Sequence, residues 1–359
     1  MIETPEFIPG ISPDDSSLST KLWILALMVM QQVQNNKSNQ RIPVTVVTGF
    51  LGSGKTTLIN HILKGQHERK VAVIVNEFGE IGIDGQLMVE DDKEQLVEFN
   101  NGCLCCTVRG DLVRTLEDLT QRADLDSVLI ETTGIADPAP VASTFIVSDE
   151  IKSKFSLDAF ITVVDAPNLE RNLNDSHEAQ EQVAFADIIL LNKTDLVLPD
   201  ELARVEHRIR LLNPLAKIHY TEFSVIDLPL ILGVGAFDLE AKLEVDPCFL
   251  DDLEHEHDSA VGSFALTSEK PIDMNKFMLW MNALAQEKGE DLYRTKGLFY
   301  AQGFAERVLF QSVRMLTSMR RDRLWKPDEN KQSQFVVIGR NLNRDEFVEG
   351  FSKCVISSR

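Results

Sequence analysis

The stretch NNGCLCCTVRG carries three cysteines in four positions, Cys103, Cys105 and Cys106. Adjacent Cys105 and Cys106 meet the Cα separation of a disulfide only with strain. A cysteine nucleophile needs one thiol and a base, not three thiols. Three thiolates in a tight loop suit a soft or borderline metal, Zn²⁺ or Cu⁺. The loop leads into TVRGDLVRTLEDL, which reads as a helix, and a helix N-terminus favours the ionised, ligating form of a nearby thiol. Three protein ligands leave a fourth position open, which suits metal transfer better than a permanent clip. Water, a partner's residue or Glu77 could fill it. The alternatives are a closed four-ligand zinc site and inert core cysteines. Cys248 and Cys354 lie far off in sequence and read as buried thiols. His255 and His257, among acidic residues, read as part of a solvated acidic linker, with a weak metal-loading patch as the alternative.

A second constellation is GFLGSGKTT, which matches G-x-x-x-x-G-K-[ST] at Gly49, Gly54, Lys55 and Thr56. Glycines let backbone N–H groups turn inward around phosphate oxygens. Lys55 supplies a point charge between the β- and γ-phosphates, Thr56 a ligand for Mg²⁺, and the following helix its positive end. The nucleotide follows from NKTD, Asn192 to Asp195, after the strand ADIILL. The Asp195 carboxylate can accept from guanine N1–H and N2–H₂, which adenine lacks. Asn192 can reach guanine N7 and the Lys193 stem can cover the base. GTP is therefore expected over ATP. In VLIETTG, Glu131 ends a strand and can hold Mg²⁺ through water or position the attacking water; Gly134 can offer its amide to the γ-phosphate. NEFGEIGID is a glycine-rich acidic loop suited to switching. Spacing reveals no arginine finger, so slow intrinsic hydrolysis is expected.

The elements that must position these residues alternate. RIPVTVVTGF, KVAVIVNEFG, EQLVEFNNG, DSVLIETTG, DAFITVVDA and ADIILLNKTD are short β-branched apolar runs ending in polar or glycine residues, with helical stretches between most of them. The pattern predicts an α/β fold: a phosphate-loop domain with a mostly parallel, doubly wound sheet, its functional residues at the carboxyl ends of the strands. Four segments are expected: a polar N-terminal segment over 1–40, the nucleotide domain over 41–240, an acidic His-containing linker over 241–262, and a smaller α+β domain over 263–357.

A net charge of −20 over 359 residues argues against nucleic-acid or anionic-membrane partners. Five cysteines, an odd number with three bunched, are a poor disulfide framework and fit a reducing compartment, cytosol or nucleus. The apolar run Leu22–Met30 is too short to span a bilayer.

GFLGSGKTTL, NEFGEIGID, NGCLCCTVRGDL, ETTGIADP and NKTD, in this order, together with LYRTKGLFYA and FVVIGR, resemble the CobW-type metallochaperone GTPases, and among them the eukaryotic zinc-regulated GTPase metalloprotein activators. The resemblance covers residues 43–357 and includes the small CobW-type C-terminal domain. It implies GTP contacts at Gly49, Phe50, Leu51, Gly52, Ser53, Gly54, Lys55, Thr56 and Thr57 and at Asn192, Lys193, Thr194 and Asp195. It brings Cys106, Thr107, Val108, Arg109 and Gly110 near the nucleotide and implies zinc at Cys103, Cys105 and Cys106. Catalytic roles are expected for Lys55 and Glu131. Activators deliver zinc to methionine aminopeptidase and dock through a C-P-E-L-V-P-like segment; TPEFIP, Thr4 to Pro9, is similar, with Thr4 replacing the Cys. The expected function is a GTP-hydrolysing zinc chaperone for a client metalloprotein. The rivals are a chaperone for cobalt or nickel and a metal-sensing switch without delivery. A phosphate-loop kinase is disfavoured because NKTD has no use there.

Overall fold

The structure is a computed structural model that describes residues 41–65, 70–76, 95–99, 108–120, 125–237 and 261–356. Strand β1 (Ile42–Thr48) is buried from Val44 onward, as an unbroken β-branched run demands. It lies inside a seven-stranded sheet with β2 (Val71–Asn76), β3 (Gln95–Phe99), β4 (Ser127–Glu131), β5 (Phe155–Asp165), β6 (Ile188–Asn192) and β7 (Lys217–Thr221), in the order β3-β2-β4-β1-β5-β6-β7. All its pairings are parallel.

Alternation along the strands supplies two cores. Val44, Val46, Ala72, Ile74, Val128, Ile130, Ile189 and Leu191 share one with Leu112, Leu116 and Leu119, which recur at helical spacing on α2 (Val108–Thr120). Val47, Val73, Leu129, Ile161, Val163 and Leu190 share the other with Leu58, Ile59 and Ile62 of α1 (Lys55–Gly65). The fold is thus doubly wound, and the chain reverses direction across the sheet between β4 and β5, which flank β1. Among the described residues this half has five further helices: α3 (Ala139–Val147), α4 (Asp149–Lys154), α5 (Leu169–Asp175), α6 (His177–Phe185) and α7 (Pro199–Leu212).

The second sheet comprises β8 (Val261–Ser268), β9 (Leu292–Phe299), β10 (Glu306–Val313), β11 (Leu316–Leu324) and β12 (Ser333–Arg340), in the order β11-β10-β9-β12-β8. It is antiparallel throughout. β8 begins at Val261, inside the span expected for the linker. Two helices, α8 (Met274–Lys288) and α9 (Arg344–Cys354), begin at side-chain caps: Asp273 accepts from Asn275 and Lys276 N–H, and Asn343 from Asp345 N–H. Phe335 and Val337 of β12 pack with Phe277, Met281, Phe347 and Phe351 of these helices. Val336 and Ile338, pointing the other way, join the core of the nucleotide domain with Tyr293 and Val313. One sheet face thus covers each half of the molecule.

A buried ion cluster pins that junction. Asp187, just before β6, accepts from Arg294 and, at 3.4 Å, from Lys296, while its other oxygen accepts from Phe160 N–H at 2.9 Å. Arg294 also donates to Phe185 O at 2.5 Å and lies over the Phe237 ring. A second buried carboxylate, Asp158 of β5, accepts from Thr45 and from Gly233 and Gly235 N–H, and its burial pushes its pKa up.

Candidate nucleotide and metal site

β1 ends where the glycine-rich turn begins. Gly49 and Gly54 hold φ of 140° and 112°, a region closed to side chains. At Gly49 a β-carbon would lie 2.2 Å from Val163 O; at Gly54, 2.6 Å from Asn192 Nδ2. Ser53 N–H closes the turn onto Phe50 O, and Leu58 N–H bonds Gly54 O to start α1. The first turn of α1 contains no acidic residue, so nothing within the helix itself offsets its positive end. Lys55 folds back over the loop, its Nζ donating to Gly49 O at 2.9 Å and Phe50 O at 3.3 Å. Leu51, Gly52 and Thr57 are exposed.

Parallel pairing of β1 with β4 sets Val47 opposite Glu131. The next residue, Thr132, donates its N–H to Val47 O at 3.0 Å. This register carries Glu131, itself 6% exposed, to the phosphate loop, where Thr56 Oγ1 donates to Glu131 Oε1 at 3.3 Å. The loop after Glu131 lies directly on the phosphate loop: a β-carbon on Gly134 would meet Leu51 N at 2.8 Å. Gln182 of α6, buried, holds the loop from behind by donating to Gly134 O and Ala136 O.

The NKTD turn joins the same place. Asn192 Nδ2 donates to Ser53 O and Ser224 Oγ, and its Oδ1 accepts from Ser224 N–H and Thr221 Oγ1. Both amide protons and both lone pairs are used within the protein, so the side chain expected to reach guanine N7 here braces the phosphate loop against the end of β7. Lys193 sits in the left-handed region at φ 62°, and its Nζ bridges Gly52 O at 2.8 Å and Asp165 Oδ2 at 2.6 Å. Thr194 Oγ1 donates to Thr221 O. Asp195 is exposed.

These residues fit a nucleoside triphosphate with Mg²⁺. Buried hydroxyls on Thr48, Ser53, Thr132 and Thr133, and Oδ1 of Asp165, have no hydrogen-bond partner among the described residues. Buried polar atoms left this way are costly unless a ligand satisfies them. Asp165 and Ser224 were missed in the sequence. An acid ending an apolar strand, the signal that revealed Glu131, could have found Asp165. Nothing in the sequence marks Ser224, which follows Phe223 with both at positive φ.

Cys103, Cys105, Cys106, Thr107 and Glu77 lie outside the described residues, as do Thr4–Pro9, Leu22–Met30, Cys248, His255 and His257. Val108, Arg109 and Gly110 open α2, which follows β3. Among the described residues no group of three or more His, Cys, Asp or Glu could hold a metal. Cys354 is buried in the C-terminal core, where burial pushes its pKa up, as suits an inert thiol.

Phosphate loop, parallel sheet and strand-end acid together define a phosphate-loop nucleotide-binding protein. Residues 43–220 match the family described as CobW/HypB/UreG, nucleotide-binding domain, and residues 261–355 the cobalamin synthesis protein cobW C-terminal domain. The chain belongs to this CobW family. It is 37% identical to the zinc chaperone YjiA of Escherichia coli over 317 residues, spanning 87% of this chain and 98% of that one. It is 33% identical to the zinc-regulated GTPase metalloprotein activator 1 of Schizosaccharomyces pombe over 360 residues, 89% and 87% of the two chains. The crystal structure of Zn(II)-bound YjiA GTPase superposes with a TM-score of 0.72 at 31% identity, over 88% of this chain and 100% of that one.

Proposed function

We propose that the protein is a GTP-hydrolysing zinc chaperone that passes zinc from Cys103, Cys105 and Cys106 to a client metalloprotein. The observation that carries the hydrolytic half is Thr56 Oγ1 against the buried Glu131 carboxylate at 3.3 Å, beside the loop that Lys55 closes. In this reading the amides of residues 49–54 and Lys55 hold the phosphates. Thr56 and Glu131 hold Mg²⁺, which when bound draws charge off the phosphate oxygens. Glu131 also orients the attacking water, and Asp195 accepts from guanine N1–H and N2–H₂. The metal half is supported by the relatives, whose names specify zinc, and by the thiol loop between β3 and α2. Both that loop and the phosphate loop follow strands of one parallel sheet, so nucleotide state and metal binding have a common frame. Methionine aminopeptidase, in the cytosol or nucleus, is the client the TPEFIP segment suggests. Among the described residues no helix is long and apolar enough to cross a membrane.

The test is a zinc titration of wild type and Cys105→Ser, each with GDP and with a non-hydrolysable GTP analogue. Zinc affinity should differ between the nucleotide states, by about 1–3 kcal/mol, and GTP affinity should respond to zinc by the same factor. Cys105→Ser should bind zinc weakly in both. Equal affinity in both states would leave a GTPase with a structural metal clip.

A further inference from the structure

We propose that Arg314 is a positioning residue for GTP hydrolysis: the C-terminal domain uses it to hold the loop behind Glu131 against the phosphate loop. The proposal rests on the reading of that loop given above. Arg314 occupies the two-residue turn between β10 and β11. Its Nη2 donates to Asp137 Oδ2 at 3.3 Å and to Glu181 Oε1 at 3.1 Å, and its Nη1 to Glu290 O. Asp137 closes the loop that starts at Thr132, and its other oxygen accepts from Ala139 N–H at 2.8 Å, capping the entry to α3. Glu181 is the neighbour of Gln182, whose amide grips Gly134 O and Ala136 O of the same loop. One guanidinium therefore ties the far end of the loop to the helix that supports its middle. The planar fork presents its N–H groups from two separate nitrogens, which a single ammonium does not.

Two further observations favour a role beyond general stability. Arg314 holds φ at 53°, where glycine or asparagine would sit without strain. Backbone of this kind persists only where its surroundings over-determine it, here a hairpin turn and the contacts of the guanidinium. The ring of Tyr293, 4.7 Å beneath the guanidinium, fixes its plane. Without the arginine, Asp137 and the half-buried Glu181 would face each other unneutralised. Burial, and Asp137 after it, already push Glu181 up. The loop would then shift, and Gly134 touches the phosphate loop with no slack at Leu51.

The experiment compares steady-state GTP hydrolysis by full-length wild type, Arg314→Gln, Arg314→Lys, Asp137→Asn and the Arg314→Gln/Asp137→Asn double variant. Displacing reacting groups by about 1 Å can cost roughly a hundredfold in rate, and a smaller shift less. Arg314→Gln should therefore lose about tenfold in kcat with KM changed by less than about twofold. Arg314→Lys should recover only part of the loss, since it keeps the charge without the fork. The double variant should be no slower than the worse single variant, because both remove one contact. Arg307→Gln breaks the Arg307–Asp322 pair inside the C-terminal domain and should leave kcat unchanged. An equal loss in Arg307→Gln would make the effect general destabilisation and overturn the proposal. Unchanged kcat in Arg314→Gln while Glu131→Gln is inactive would remove the clamp alone. Full turnover in Glu131→Gln would remove the loop from catalysis, and the clamp with it.

Discussion

At the scale of single residues, the site divides into groups that meet the nucleotide and groups that hold those groups still. Lys55 and Asp195 belong to the first kind in the proposed reading. Lys55→Ala should reduce GTP turnover to background while far-ultraviolet circular dichroism stays unchanged, because the loop's own backbone bonds, Ser53 N–H to Phe50 O and Leu58 N–H to Gly54 O, close the turn and start the helix. Normal turnover would remove the phosphate assignment. Asp195→Asn replaces a two-proton acceptor by an amide and should weaken GTP binding by about 1–3 kcal/mol, with xanthosine triphosphate gaining relative to GTP. Isothermal titration with both nucleotides reads the shift. Asn192 behaves differently. Its amide makes four bonds inside the protein, so Asn192→Ala should lower thermal stability in nucleotide-free protein as well as GTP affinity. A variant that bound GTP weakly yet melted like wild type would make it a base contact instead.

Elements show where sequence patterns lose force. Six of the seven strands of the parallel sheet coincide with β-branched apolar runs, and β9 and β12 overlap LYRTKGLFYA and FVVIGR. Two strands without such a run, β7 (KIHYT) and β11 (LTSMRRDRL), lie at sheet edges. An edge strand packs on one side only and gains by carrying charge that blocks further pairing, so its apolar signal fades. β11 is held partly by charge. Beyond it, Glu329 accepts from Arg323, Arg307 and Lys326 N–H, and the Arg323 bond above all pulls its pKa down to about 2. The ionised form is favoured on folding. The contribution is therefore present above the ordinary carboxylate range and lost as pH falls through about 2. Urea unfolding of wild type and Glu329→Gln should differ at neutral pH and converge as pH approaches that value. A constant difference across the range would assign the effect to packing.

At the scale of the whole molecule, the two sheets are joined through the helices between them. Tyr293, Val313, Val336 and Ile338 extend the nucleotide-domain core, and Asp187, Arg294 and Lys296 are buried at the seam. Removing one member of a buried ion pair strands the other and costs about 3–5 kcal/mol, whereas replacing the whole set by apolar groups can be neutral. Arg294→Met should therefore lower the unfolding free energy by about 3 kcal/mol, the low end because Asp187 keeps Lys296, and replacing Asp187 and Lys296 as well by Leu and Met should restore part of it. A small loss in Arg294→Met, under about 1 kcal/mol, would show that water reaches Asp187 in solution.

The sequence by itself determined whatever depends on neighbours along the chain. The phosphate loop was readable because its glycines, Lys55 and Thr56 are consecutive and their geometry is local. The doubly wound class was readable from the run of short β-branched apolar segments with helical stretches between them. Family resemblance added the CobW assignment, which the two domain matches bear out. Tertiary structure alone decided which strand ends meet. The β1–β4 pairing brings Glu131 to Thr56, 75 positions away, and the β6–β7 pairing gives Asn192 its partners Thr221 and Ser224. It also decided that a turn in the C-terminal domain reaches Asp137, 177 positions back. The physical reason is the same in each case. Periodicity says which face of an element is buried, but strand order and the docking of one core on another say what it is buried against.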